Sequence, residues 1–235
     1  MKKKEPKNPF VSCIVAAAGK GSRMQADLNK IFLEYCDKPV LAHTLTALEE
    51  CPSINEIVLV TGEYDILGCK DIAEEFGIKK LTAITVGGKM RQDSVRNALK
   101  EVSEQANIVL IHDAARPLVT SQVIDNVIHD VLLCGAAAPG VPCKNTLKLA
   151  DPNGYIIDTP DRSCMYEIQT PQGFTRSIIT RAHETAQQSG LSGTDDCFLV
   201  EHLGIKIKIS EGDYRNIKIT TPEDLVIAEL LSASC

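Results

Sequence analysis

The sequence predicts an α/β fold: a doubly wound, mainly parallel sheet carrying an inserted β-hairpin. Three observations lead there. Short β-branched runs alternate with longer amphipathic ones, the first run ends in a glycine-rich turn, and the alternation breaks after Pro142. Val11 to Ala17, Glu56 to Thr61, Leu81 to Val86 and Ile108 to His112 have the length and composition of buried strands. Between them, Val40 to Glu50, Lys70 to Phe76 and Met90 to Val102 place apolar residues at helical spacing. Such alternation implies right-handed crossovers and helices on both faces of the sheet. Sheets of this Rossmann-like kind bind ligands at the carboxyl ends of their strands.

Beyond Pro142, Thr146 to Ala150 and Tyr155 to Asp158 flank the turn Asp151-Pro152-Asn153-Gly154. Proline second and glycine fourth suit a tight turn, so a hairpin is expected as an arm over about 143–168. A helix over Ser177 to Gln188, another starting near Thr194, a strand over Ile205 to Ser210 and a helix after Pro222 complete the chain. Residues 1–10, with the run Lys2-Lys3-Lys4, are expected to form a disordered tail, and 11–235 a single domain.

The net charge of −6 and the lack of a basic stripe argue against a nucleic-acid partner. No apolar run approaches a membrane span, and no signal-peptide core follows the charged N-terminus. Nine cysteines without a C-x-x-C pair indicate reduced thiols and a cytoplasmic location. The five histidines have no metal-binding spacing.

The strongest local feature is Ala16-Ala17-Ala18-Gly19-Lys20-Gly21-Ser22-Arg23-Met24, directly after the first strand. Small residues and two glycines let backbone N–H groups approach an anion. Arg23 adds a forked cation and Lys30 a mobile one, a combination suited to a triphosphate. The Walker pattern is absent, and the dinucleotide pattern lacks its third glycine.

Ala17-Ala18-Gly19-x-Gly-x-Arg23-Met24 with Lys30 resembles the signature of nucleotidyltransferases that activate sugars and polyols. His112-Asp113-Ala114-Ala115-Arg116-Pro117 narrows the resemblance to the 2-C-methyl-D-erythritol 4-phosphate cytidylyltransferase family of the non-mevalonate route in isoprenoid biosynthesis. Gly87-Gly88 with Arg91 and Ser94, Thr146 with Lys148, Asp161-Arg162, Thr170-Pro171-Gln172, Thr194-Asp195-Asp196 and Asn216-Ile217-Lys218 with Pro222-Glu223-Asp224 follow in family order. The resemblance implies a homodimer whose arm crosses to the partner, and attack of the substrate phosphate on CTP with Mg2+. It implies catalytic roles for Arg23, Lys30, Arg162 and Lys218. Nucleotide binding would fall to Ala17, Ala18, Gly19, Lys20, Gly21, Gly87, Gly88, Arg91, Ser94 and Ala114, and substrate binding to Asp113, Arg116, Thr146 and Thr170. Asp113 is also the candidate metal ligand, with an N-cap or an ion pair with Arg116 as the competing structural role.

The nucleophile in such a reaction is an ionised phosphate oxygen, so no side-chain base is required and the work is electrostatic. His112 is expected to be a core histidine, and Thr194-Asp195-Asp196 reads equally as a helix cap with two acids. Asn29 precedes Lys30 where the family usually has proline, and is expected to loosen that segment. Asn145 stands where aspartate is common, which removes a charge beside Thr146. The alternatives are a ribitol-5-phosphate cytidylyltransferase, a non-catalytic nucleotide sensor and a nicotinamide oxidoreductase. The last lacks its glycine pattern.

Overall fold

The computed structural model describes residues 9–19 and 29–233. Lys20, Gly21 and Arg23, and the expected tail up to residue 8, lie outside them. The strands are β1 Val11–Ala16, β2 Glu34–Tyr35, β3 Lys38–Pro39, β4 Glu56–Thr61, β5 Leu81–Val86 and β6 Ile108–Asp113, then β7 Ala136–Pro142, β8 Leu149–Ala150, β9 Ile156–Asp158, β10 Tyr166–Ile168, β11 Gln172–Thr175 and β12 Lys208–Glu211. The helices are α1 Val40–Glu50, α2 Ile66–Glu75, α3 Arg91–Ala98, α4 Ser121–Cys134, α5 Arg176–Ser189, α6 Asp196–Glu201 and α7 Pro222–Ser232.

The central sheet is mixed but mainly parallel. β6, β1, β4 and β5 run parallel in that order, and β11 joins β6 antiparallel. β10 and β11 continue one another along one side of β7, and β12 pairs in parallel along its other side. Alternation along β1 shows why helices must cover both faces. Cys13 and Val15 face a core shared with α1, α2 and α4, whereas Ile14 packs into a second core with α3, α5 and α6. Leu110 of β6 is fully buried in the first core, where truncation to alanine would cost about 2–5 kcal/mol.

Local signals fix the helix ends. The Thr120 hydroxyl accepts from Val123 N–H to open α4, and left-handed Gly135 closes it with an N–H to Val131 C=O bond of 2.7 Å. Pro222 at the first turn and a Thr221–Asp224 capping box start α7.

Several boundaries differ from expectation. α2 starts at Ile66 because the 3-10 turn Glu63–Asp65 leads straight into it, and α3 ends at Ala98. The late strand lies at Lys208–Glu211, where it meets β7. Phe10 belongs to the body rather than the tail: its N–H bonds Asn107 at 2.9 Å and its ring packs on the second core. The inserted segment contains the β8–β9 hairpin, closed by a Gly154 N–H to Asp151 C=O bond of 3.0 Å, and the 3-10 turn Arg162–Cys164. Tyr155, Ile156 and Ile157 on it are exposed. Among the described residues, no helix is long and apolar enough to cross a membrane.

Candidate active site

A cavity of about 800 Å³ opens at the carboxyl ends of β1, β5 and β6. That is the edge where an open parallel sheet leaves room for a ligand. Its wall brings together Ala17, Ala18 and Gly19 after β1, Lys30, Gly87 and Gly88 after β5, Arg91 and Ser94 of α3, Asp113, and Lys218 ahead of α7. Close packing explains the glycine pair. A Cβ on Gly87 would come within 2.5 Å of Ala18 Cβ, and one on Gly88 within 2.2 Å of Asp93 Cβ. The Ser94 hydroxyl accepts from Gly88 N–H at 3.0 Å and donates to Met90 C=O at 3.1 Å, so it shapes this loop from behind.

Asp113 is the electrostatic centre of the wall. Lys218 Nζ lies 2.8 Å from its carboxylate, and Arg91 Nε and Arg116 Nε each lie 3.7 Å away. Burial by itself raises the Asp113 carboxyl, but Lys218, then Arg91 and Arg116, outweigh it and hold the pKa at about 2. A relay fixes the carboxylate's backbone. Asp113 N–H donates to Thr170 Oγ1 (3.0 Å), Thr170 donates to His112 Nδ1 (3.0 Å), and His112 Nε2–H donates to Arg116 C=O (3.1 Å). This direction follows from the carbonyl, which can only accept. Burial pushes His112 down to about 4, so the ring is neutral near pH 7. It is the core histidine expected.

Arg91 reaches past Asp113 to a second carboxylate. Its Nη1 lies 2.6 Å from Asp196 Oδ2, while Asp196 Oδ1 contacts His183 Nε2 at 3.0 Å. Burial raises the Asp196 carboxyl, but Arg91 and the His183 hydrogen bond bring the net shift below its ordinary value. The two acids expected on a helix cap therefore divide. Asp195 caps α6 by accepting from Phe198 N–H at 2.9 Å, and Asp196 is a buried partner of Arg91.

Lys30 Nζ donates to Ile219 C=O at 2.9 Å. Asn29, expected to loosen this segment, is itself held. Its amide donates to Asp65 Oδ2 at 2.9 Å and Ala17 C=O at 3.3 Å, and its carbonyl accepts from Ile31 N–H at 3.4 Å.

Other expected residues lie elsewhere. Thr170 and Arg116 sit behind the wall, and the Arg116 guanidinium donates to Asn216 C=O at 2.7 Å. Ala115, not Ala114, faces the cavity; the Ala114 N–H and C=O bond Ala16 and Thr44. Thr146 and Arg162 are exposed on the arm, away from this cavity, and Arg162 donates to Lys144 C=O at 2.9 Å. Ile31, Lys89 and Met90 also line the wall and were not anticipated. Lys89 and Met90 fall between Gly88 and Arg91, so the spacing of that motif was the available signal. Arg91, Lys218 and Lys30 on the wall, with Arg116 behind it, outnumber the one carboxylate there, an excess of positive charge that suits a polyanion.

Comparison with known proteins agrees with that chemistry. Residues 11–233 match the family model IspD, 2-C-methyl-D-erythritol 4-phosphate cytidylyltransferase. A protein of that name from Caldanaerobacter subterraneus is 48% identical over 94% of this chain and 97% of its own length. One from Clostridium botulinum strain 657 is 48% identical over 93% of this chain and 95% of its own. The crystal structure of 4-diphosphocytidyl-2C-methyl-D-erythritol synthase from Anaerococcus prevotii superposes with a TM-score of 0.86 at 32% identity, covering 99% of this chain and 100% of that one. The chain belongs to the IspD family of cytidylyltransferases.

Proposed function

We propose that this chain transfers the cytidylyl group of CTP to the phosphate of 2-C-methyl-D-erythritol 4-phosphate, giving 4-diphosphocytidyl-2-C-methyl-D-erythritol and pyrophosphate. The observation that carries this is the wall of cations around Asp113, at the ligand edge of a chain matching the IspD model over residues 11–233. An oxygen of the acceptor phosphate bonds to the α-phosphorus of CTP while the bond from that phosphorus to the β-bridging oxygen breaks. The electron pair leaves on pyrophosphate. No proton need be removed, so catalysis consists of bringing two anions together and balancing the charge that builds.

Lys30 and Arg23 are proposed to meet the triphosphate, and Lys218 the acceptor phosphate beside Asp113. Gly87 and Gly88 offer backbone to the base. Arg91, Asp113, Thr170 and Arg116 order these groups. Asp113 is the only carboxylate on the described wall, and among the described residues no His, Cys, Asp or Glu trio encloses an ion. That donor set fits a cation held mainly by phosphates and water, the habit of Mg2+, with Asp113 as its single protein ligand. When bound, Mg2+ would neutralise triphosphate charge and favour pyrophosphate departure.

Exposed Tyr155, Ile156 and Ile157 support the reading of the arm over about 143–168 as a dimer contact, through which Thr146 and Arg162 would serve the partner's cavity. A cytoplasmic location goes with this reading, since CTP is an intracellular nucleotide. The test is pyrophosphate release with CTP, Mg2+ and either 2-C-methyl-D-erythritol 4-phosphate or ribitol 5-phosphate. Release with the first alone is the expected result. Release with ribitol 5-phosphate alone would replace the acceptor, and silence with both despite CTP binding would leave a sensor.

A further inference from the structure

We infer that Asn29 and Asp65 form a side-chain clamp that positions Lys30, an inference that rests on the cytidylyl-transfer reading. Asn29 stands immediately before Lys30 and uses both ends of its amide. The NH2 group donates to Asp65 Oδ2 at 2.9 Å and to Ala17 C=O at 3.3 Å, and the carbonyl caps the 3-10 turn Lys30–Phe32. Ala17 follows β1 and Asp65 follows β4, so one side chain ties the lysine's backbone to two adjacent strand ends.

Asp65 supplies the second observation. It is the last residue of the 3-10 turn that runs into α2, its backbone is helical, and its side chain makes no capping bond to that helix. Its carboxylate accepts from Asn29 instead. The turn carrying Lys30 is further pinned by Ile31, which is 2% exposed in the core. Lys30 thus extends from a backbone fixed on both sides toward Ile219 C=O. A catalytic cation must be held within a fraction of an ångström to act on the transition state, and the clamp provides that where the described residues 29–39 hold only a 3-10 turn and two two-residue strands.

The experiment compares Asn29→Ala, Asp65→Ala, Asp65→Asn and the double alanine variant in steady-state turnover with CTP and methylerythritol phosphate. Amide exchange at Ile31 is followed in parallel. Expected are a roughly tenfold fall in kcat for either alanine variant, KM for CTP within about twofold, and no further loss in the double variant. Asp65→Asn, which keeps an acceptor oxygen, should retain activity, and Asp65→Ala should speed exchange at Ile31. A kcat within twofold of wild type in Asp65→Ala, or multiplicative losses in the double variant, would overturn the clamp. Wild-type turnover in the same assay checks the parent reaction separately. Should wild type be inert, unchanged Ile31 exchange in Asp65→Ala would overturn the clamp by itself.

Discussion

Arg91 lies between two carboxylates that do different things. Asp113 faces the cavity and shares its charge among Lys218, Arg91 and Arg116, with one side open to a ligand. Asp196 is sealed, 1% exposed, and its carboxylate closes on Arg91 and His183. Both are held below the ordinary carboxylate pKa, and in both cases opposing charge outweighs the burial that would raise it. The difference teaches where stability and chemistry separate. A closed pair anchors the arginine, and an open cluster leaves cation capacity for phosphate.

The largest expected effect tests the closed side. Asp196→Ala leaves the Arg91 guanidinium half-buried without its closest partner and should cost about 3–5 kcal/mol in urea unfolding. On the open side, Lys218→Ala should lower kcat about 100- to 1000-fold, as loss of one charge-stabilising donor does. Its unfolding free energy should fall by less than in Asp196→Ala, about 1–2 kcal/mol, because Arg91 and Arg116 remain beside Asp113 and the Lys218 side chain is 38% exposed. Equal stability losses in the two variants would erase the distinction.

Acidification sharpens the comparison in two stages. His112 is depressed to about 4, so only the unfolded chain takes up its proton between pH 6.5 and 4, and stability falls with pH there by about 3 kcal/mol. Asp113 is depressed to about 2, so its contribution is complete above the ordinary carboxylate range and is lost below about pH 4, by about 2 kcal/mol. Equilibrium unfolding across pH should resolve the first stage, and His112→Gln should abolish it. Thr170→Val, which removes the acceptor for Asp113 N–H, should cost about 1–3 kcal/mol of stability, read in the same unfolding assay.

Much of this was legible in the residues, and the misses have physical causes. The βαβ pattern up to Asp113 is carried by local periodicity, which the tertiary fold keeps. β7 is not: alanines, Pro139, Gly140 and Pro142 have poor strand character, and the segment is a strand because neighbours pair along both its sides. β10 and β11 are three and four residues long, too short for alternation to register. In the site, Lys30, Gly87, Gly88, Arg91, Asp113 and Lys218, all singled out by their motifs, line one cavity. The pairing of Arg91 with Asp196 spans 105 residues and leaves no local pattern. Thr170 carries the same lesson, since an ordinary threonine became the support of Asp113 only through a contact across 57 residues.

Cytidylyl transfer at this site is tested most directly by the stoichiometry of product formation, followed by phosphorus NMR with CTP, Mg2+ and 2-C-methyl-D-erythritol 4-phosphate. The predicted result is one pyrophosphate for each new diphosphate-linked cytidyl product, and loss of both signals together in Lys30→Ala. Pyrophosphate without the linked product, or undiminished turnover in Lys30→Ala, would contradict it.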